Sequence, residues 1–485
     1  MKHTTGSINR IVLLFLILSC LFGPIFPFLN VDLGFVILTP LRLALILSTA
    51  YCFFVWMIRY RKQQVKMSIH NNRDGWFVFL FLAIWFMAGC AWLVFGEVYS
   101  RAPTEVVGIL TICLFAFCTF TLVECLEDSH DLLRACVYGG VILSLLAFVE
   151  VVFGSFVPGT RYYLTLEEKL LLKQTLFAPT AVFYNQNDFA AYLLMCVTIV
   201  CFWMLQCKRI KPFLLYLVIG IVLLIPTFLI NSTIFNLSLI ALLVFASALL
   251  LLMAKQEGRH RLIQIGILLA AIVLFGAFGA NVIKNTVHKF NMSYFSHRIE
   301  KQYGIDSYDN QEELLQNLTE ENKTVSANTD TLFTQIDAAN NATGTIYKRY
   351  WLIRAGIDFF FDSPIVGNGP DSFREKIEKH TEYQQKTGGL VNPHCFYTEI
   401  LSQYGGVLFS LFVGSLLYFI IMSACRAYKE LKMGYAGMNL LCFMLFAVFT
   451  VVLIMSSSSI CFTTIWMFYI FAVGLFCQAW PMIKG

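Results

Sequence analysis

An all-α bundle of about twelve membrane-spanning helices is the fold this sequence predicts, and three observations predict it. Of 485 residues, 58% are apolar and only 13% are charged, about half the charge a soluble domain carries. Twelve apolar runs each approach or exceed the roughly twenty residues that a helix needs to cross a bilayer. The basic residues divide unequally between alternate connections, as they do when one side of a membrane retains them.

The runs fall near 11–29, 34–58, 76–95, 104–123, 136–156, 188–206, 213–230, 233–253, 262–281, 402–424, 437–455 and 459–479. Gly23-Pro24 and Phe26-Pro27 interrupt the first and Pro40 the second. The stretch from Lys2 to Arg10 and the apolar run after it have the flanks of a signal peptide. No small-x-small cleavage site follows, so the run reads as a retained first span. A polar stretch of about 120 residues, rich in Asn, Gln, Thr and Glu, separates the ninth and tenth runs. The chain thus divides into helices one to nine (1–281), one large, partly helical loop (282–401), and helices ten to twelve with a tail (402–485). Fourteen of the fifteen cysteines lie in or at the ends of apolar runs and none forms a Cys-x-x-Cys pair. They read as small hydrophobes, neither a disulfide frame nor a zinc site.

With the N-terminus inside, the cytoplasmic ends of the spans collect eighteen Lys and Arg residues, against Arg101, Arg161, Lys169 and Lys173 in the short outer loops. That bias puts the long loop outside and both termini in the cytosol. The net charge of +5 is dispersed, which argues against a nucleic-acid partner. A transporter of two six-helix halves would carry its longest connector inside, after span six. Here the connector follows span nine, and few ionisable residues lie deep within the spans. Transport is disfavoured on both counts.

Chemistry-bearing residues gather around the long loop. It ends in GLVNPHCFYTEILSQYGG, where Asn392 suits an N-cap and Pro393 the first helical position, so His394 is expected in the first turn. The helix dipole there favours a neutral imidazole. Such a ring can accept a proton from a sugar hydroxyl, or can simply be an interfacial histidine bonded to its neighbours. Upstream, residues 347–361 read as a helix in which Arg354 has Asp358 one turn later, a cheap surface ion pair. Arg349 lacks such a neighbour, so it is either an anion-gripping group or a solvated basic end beside Lys348. The turn Gly367-Asn368-Gly369-Pro370 precedes Asp371, Ser372 and Glu375, a capping-box pattern whose N–H groups can cradle phosphate or merely connect two helices. Arg42 sits near the outer end of span two, placed to snorkel or to meet an anionic headgroup. Asn185, Asn187 and Asp188 open span six, where one of them caps the helix and the others leave room for sugar contacts. No Asp-x-Asp or His pair at ligand spacing occurs in the outer loop, so neither a metal nor another cofactor is expected.

Taken together, LTPLRLALIL, FYNQNDFAAYLLM, the helix KRYWLIRAG leading into GNGPDSF, and NPHCFYTEILSQYGG resemble the O-antigen ligase and polymerase superfamily of bacterial envelope proteins. The nearest branch in character is the polymerases of teichuronic acid or capsular glycans. The resemblance implies a metal-independent, inverting glycosyltransferase in the bacterial inner membrane, drawing on an undecaprenyl-diphosphate-linked glycan donor and a glycan acceptor. A flippase and a chain-length regulator would be further partners. It implies His394 as general base, Glu399 orienting the acceptor, and Arg349 with Arg42 on the diphosphate. Three positions depart from the family pattern. Cys395 stands for the usual Asn, Gln403 for a second acid, and Asn231-Ser232-Thr233-Ile234 lacks the expected arginine, a role Arg161 would then take. Polymerisation of lipid-linked repeat units is the leading reading. Ligation of finished glycan to another acceptor is the second, and a non-enzymatic polysaccharide permease or flippase the third.

Overall fold

The computed structural model describes residues 2–22, 30–32, 37–61, 73–123, 126–153, 179–183, 186–230, 232–257, 259–274, 342–454 and 463–479. Among the described residues, nine α-helices come before the long loop: α1 (Lys2–Phe22), α2 (Pro40–Arg61), α3 (Arg73–Phe95), α4 (Ala102–Leu122), α5 (Leu126–Phe153), α6 (Gln186–Gln206), α7 (Ile210–Leu224), α8 (Thr233–Glu257) and α9 (Arg259–Leu274). The described part of the loop holds α10 (Ala342–Asp362), α11 (Ser372–Lys379) and α12 (Thr381–Thr387). The chain continues through α13 (Phe396–Lys432), α14 (Met438–Val452) and α15 (Thr463–Ala479).

Each expected span overlaps one of these helices. Among the described residues, eight helices are long and apolar enough to cross a membrane, and four shorter apolar ones lie at Ile8–Phe22, His260–Val273, Met438–Val452 and Thr464–Ala479. The protein is therefore an all-α, polytopic membrane protein. Boundaries moved where proline decides them. The first helix stops at Phe22, ahead of Gly23-Pro24, and the second starts on Pro40, because proline suits a first turn and breaks an interior. Between them, Val31–Asp32 and Ile37–Leu38 pair antiparallel as a two-residue ladder, Val31 opposite Leu38.

The centre of the bundle is α6. From Asp188 to Leu205 every residue is buried, as expected of a helix apolar all round, and α5, α7, α8 and α14 pack around it. A ladder of aromatic rings ties α3, α13, α14 and α15 together. Phe396 meets Trp85, Trp466 and Phe412 edge-on with centroids 5.8, 5.4 and 5.0 Å away, the arrangement ring quadrupoles prefer. The loop helices have a small core of their own, Leu352, Ala355 and Phe359 of α10 against Phe373 and Ile377 of α11.

The largest departure from expectation is α13. The tenth apolar run, expected from residue 402 behind a helix start at Pro393, belongs to a helix that starts at Phe396 and runs for 37 residues, about 55 Å at the α-helical rise. It is broken at Gly405, whose backbone (φ 77°, ψ 178°) is not helical. The nine residues before the break belong to the site described next.

Candidate active site at one end of the bundle

His394 does not lie in a first turn. Cys395 is the N-cap, with extended backbone, and the helix begins at Phe396. His394 itself takes a left-handed conformation, φ 51°, uncommon for a residue with a Cβ, and its side chain is buried. The Asn392-Pro393 pattern misled because a tertiary contact sets the helix start: the Phe396 N–H donates to the Leu453 carbonyl, 2.9 Å away, at the end of α14. With the Phe396 ring also wedged among aromatics, the backbone that carries His394 is fixed from both sides.

Arg349 comes to the same place from α10. That helix packs closely on the start of α13 because Gly356 faces Thr398; a Cβ at Gly356 would lie 2.9 Å from the Thr398 Cβ. About two turns earlier, the Arg349 guanidinium donates to the Ile454 carbonyl at 3.2 Å. Leu453 and Ile454 are consecutive, so the histidine-bearing backbone and the Arg349 guanidinium hang from neighbouring carbonyls. Burial pushes the Arg349 pKa below its ordinary value, opposed by the nearby Cys395 thiol. An arginine with so high a starting pKa stays cationic at neutral pH. Arg354, by contrast, points outward and pairs with Asp358 at 3.4 Å, which raises its pKa. Asp358 also accepts the Tyr383 hydroxyl, and burial, then that bond, pushes the Tyr383 phenol up to about 12. The ion pair expected from the sequence is present, and it holds Arg354 on the exposed face.

The glycine turn is not a phosphate cradle. Its N–H groups are taken by the break in α13: Asn368 donates to the Ser402 carbonyl at 3.1 Å and Gly369 to that of Gln403 at 2.8 Å. In return, Gly406 donates to the Pro364 carbonyl at 2.8 Å and Val407 to that of Ile365 at 3.5 Å. The carbonyls and amides that a broken helix leaves unpaired are thus satisfied by a loop threaded through the gap. Gly367 and Gly405 permit it. Both have positive φ, and a Cβ on either would lie 2.2 or 2.3 Å from the facing carbonyl oxygen, of Gln403 or Ile365. The capping box is absent too, since the N-cap of α11 is Asp371, in left-handed conformation with no side-chain cap bond.

A buried polar knot that sequence reading missed lies behind this loop. Glu105, in the first turn of α4, accepts the Tyr404 hydroxyl at 2.7 Å and the Asp371 N–H at 2.9 Å. The same N–H lies 2.7 Å from the Gln403 side-chain oxygen, which gives a role to the amide standing where an acid was expected. Glu399, buried in the first turn of α13, lies within electrostatic reach of Glu105. A lone Glu at a span's end reads as solvated, and only the fold brings it against residues some 270 to 300 positions away. Glu150 at the end of α5 was hidden in the same way. Its carboxylate accepts the Thr180 and Ala181 N–H groups at 3.0 and 2.7 Å and fixes the turn that leads into α6.

Of the remaining candidates, Arg42 lies half-buried in the first turn of α2, which packs on α1 and α4. Asn187 and Asp188 are in the first turn of α6, half-buried and buried respectively. Asn185 and Arg161 lie outside the described residues, as does Asn231. Ser232 accepts the Phe235 N–H at 3.4 Å and so caps α8. The fold thus brings Arg349 and the backbone beside His394 to one corner, places Glu399 within reach of Glu105, sends Arg354 to the opposite face of its helix, and leaves Arg42, Asn187 and Asp188 at the ends of other helices. Among the described residues, no group of three His, Cys, Asp or Glu side chains is arranged to hold a metal.

A polytopic bundle with a helical loop folded onto one end, where the Arg349 guanidinium lies beside the backbone next to a buried histidine, defines a membrane protein with a candidate functional site. Residues 234–413 match the family described as O-antigen ligase, and the resemblance to the O-antigen ligase and polymerase superfamily is borne out over that stretch. It takes in α8 to α12 and the start of α13, and so covers Arg349, His394 and Glu399. No curated protein matches the chain.

Proposed function

We propose that the protein is an inverting glycosyltransferase that polymerises undecaprenyl-diphosphate-linked repeat units at the outer face of the bacterial inner membrane. In this reading both termini are cytoplasmic and the α10–α12 loop is outside. The observation that carries it is the anchoring of the Arg349 guanidinium and of the Phe396 N–H, two residues after His394, to the neighbouring carbonyls of Ile454 and Leu453. His394 takes the proton of an acceptor hydroxyl as that oxygen attacks the anomeric carbon of the donor sugar. The bond from that carbon to the diphosphate oxygen breaks, and the carrier diphosphate departs with the electron pair. Arg349 offsets the charge that accumulates on the leaving group, a contribution worth roughly 3–4 kcal/mol for one well-placed donor. Glu399 orients the acceptor. Because the leaving group departs already ionised, the site needs no general acid.

Ligation is a second reading, supported by the description of the matched family: the same chemistry with an acceptor other than a repeat unit. Purified protein supplied with a lipid-diphosphate oligosaccharide separates the readings. A ladder of longer carrier-linked chains is expected of the polymerase. Carrier-linked chains that stay single until a non-repeat acceptor is added would replace polymerisation with ligation. Unchanged substrate with every acceptor, together with movement of the lipid-linked glycan across vesicles, would replace both with permeation.

A further inference from the structure

The loop threaded through the break in α13 presents a surface that neither the transfer site nor the bundle core uses. Phe361 is 69% exposed and Ile365 67% exposed, with Val366 beside them. They adjoin Val407 just past the break, and the exposed apolar face continues along α13 through Leu411, Leu417 and Ile421. The outer end of α3 joins them. Trp92 packs against Gly369, with a Cβ there 3.1 Å from the indole, and Phe95 beyond it is 88% exposed.

Two physical arguments say what covers this face. Non-helical backbone survives in hydrocarbon only where its polar groups are paired within the protein. Here the loop and the broken helix pair reciprocally, and the Gly367 and Ser363 N–H groups donate to Ser363 and Phe360 carbonyls at 3.0 and 3.1 Å. The second argument is length. From Gly406 to Tyr428 the helix rises about 33 Å, close to the roughly 30 Å thickness of a bilayer's hydrocarbon core. Tyr428, with the Lys432 ammonium 4.9 Å from its ring centre, is the aromatic and basic pair expected at one boundary. That puts the break, and the loop within it, at the other boundary. Asp362 next to Phe361 fits the same depth, because it is paired with Lys376 at 2.6 Å where headgroups begin.

We propose that Phe361, Ile365 and Val366 are inserted into the bilayer as a re-entrant wedge at the acyl-chain boundary of the leaflet on the His394 side, covered by lipid chains continuous with those around α13. The wedge fixes the height of the loop helices above the membrane, and it holds whatever reaction the site performs. The first turns of α13 lie back beside the helix beyond the break, with the Phe396 and Phe412 ring centres 5.0 Å apart.

The test places a fluorophore on the wedge. Full-length Ile365→Trp is reconstituted in phosphatidylcholine vesicles, and its emission is read as the difference from the wild-type protein. Blue-shifted emission is expected, quenched at least about twofold more by lipid brominated near the headgroup end of its chains than by aqueous iodide. Red-shifted emission that iodide quenches and brominated lipid does not would overturn the proposal. Should Ile365→Trp fail to reconstitute, Val366→Trp gives the same reading with the same two outcomes.

Discussion

Two guanidinium groups separate a closed corner of the molecule from an open one. On α11, Arg374 donates to both Asp371 carboxylate oxygens at 3.0 and 2.8 Å, to the Ser100 hydroxyl at 2.7 Å and to Glu378 at 3.2 Å. Asp371 in turn accepts the Arg101 N–H at 3.1 Å. The bond to Asp371 is the main reason the Arg374 pKa is raised. Every partner is protein, and the group knits the α3–α4 connection to the loop. On α10, Arg349 reaches a single carbonyl among the described residues, that of Ile454, although a guanidinium has five N–H donors. A partly buried cation with donors to spare is expensive to keep unless something anionic completes it. Arg374 is therefore part of the frame, whereas Arg349 is the cation that the proposed function assigns to the leaving group.

The largest effect expected is at the open corner. His394→Ala should lower glycan transfer about 100-fold or more, the usual worth of a positioned general base, while the midpoint of thermal unfolding in detergent stays near wild type. Wild-type turnover by this variant would remove the imidazole from the chemistry. At the closed corner the pattern should reverse. Arg374→Ala leaves Asp371 buried without its bidentate partner and should lower the unfolding free energy by about 2–3 kcal/mol. Activity per folded molecule should be kept, and a variant as stable as wild type but inactive would break the distinction. Gly405→Ala should touch both corners through the threaded loop. A left-handed backbone costs a residue with a Cβ about 1–2 kcal/mol, and the Ile365 carbonyl must move away besides. Stability and transfer are then expected to fall together, and full retention of both would mean that the break in α13 does not frame the site.

The spans were legible because each needs only an apolar run of sufficient length, and α6 could be read from one end to the other. The site was legible only in part. His394, Arg349 and Glu399 stood out by residue type and by resemblance, and the Arg354–Asp358 pair by helical spacing. The start of α13 was misplaced because a backbone bond to Leu453, some 57 residues downstream, overrides the local Asn-Pro signal. The glycine turn was misread for the same reason. Its N–H groups look available in sequence, yet they are consumed by carbonyls of Ser402 and Gln403. Glu105 and Glu150 were invisible because a carboxylate at a span's end looks the same whether it meets water or a buried N–H.

One comparison tests the central claim most directly: the rate of glycan transfer from a lipid-diphosphate donor by purified Arg349→Ala and Arg354→Ala, two arginines five residues apart on α10. The account predicts that Arg349→Ala loses about 100- to 1,000-fold while Arg354→Ala stays within about twofold of wild type, as befits an exposed ion pair. Equal rates for the two variants would contradict it.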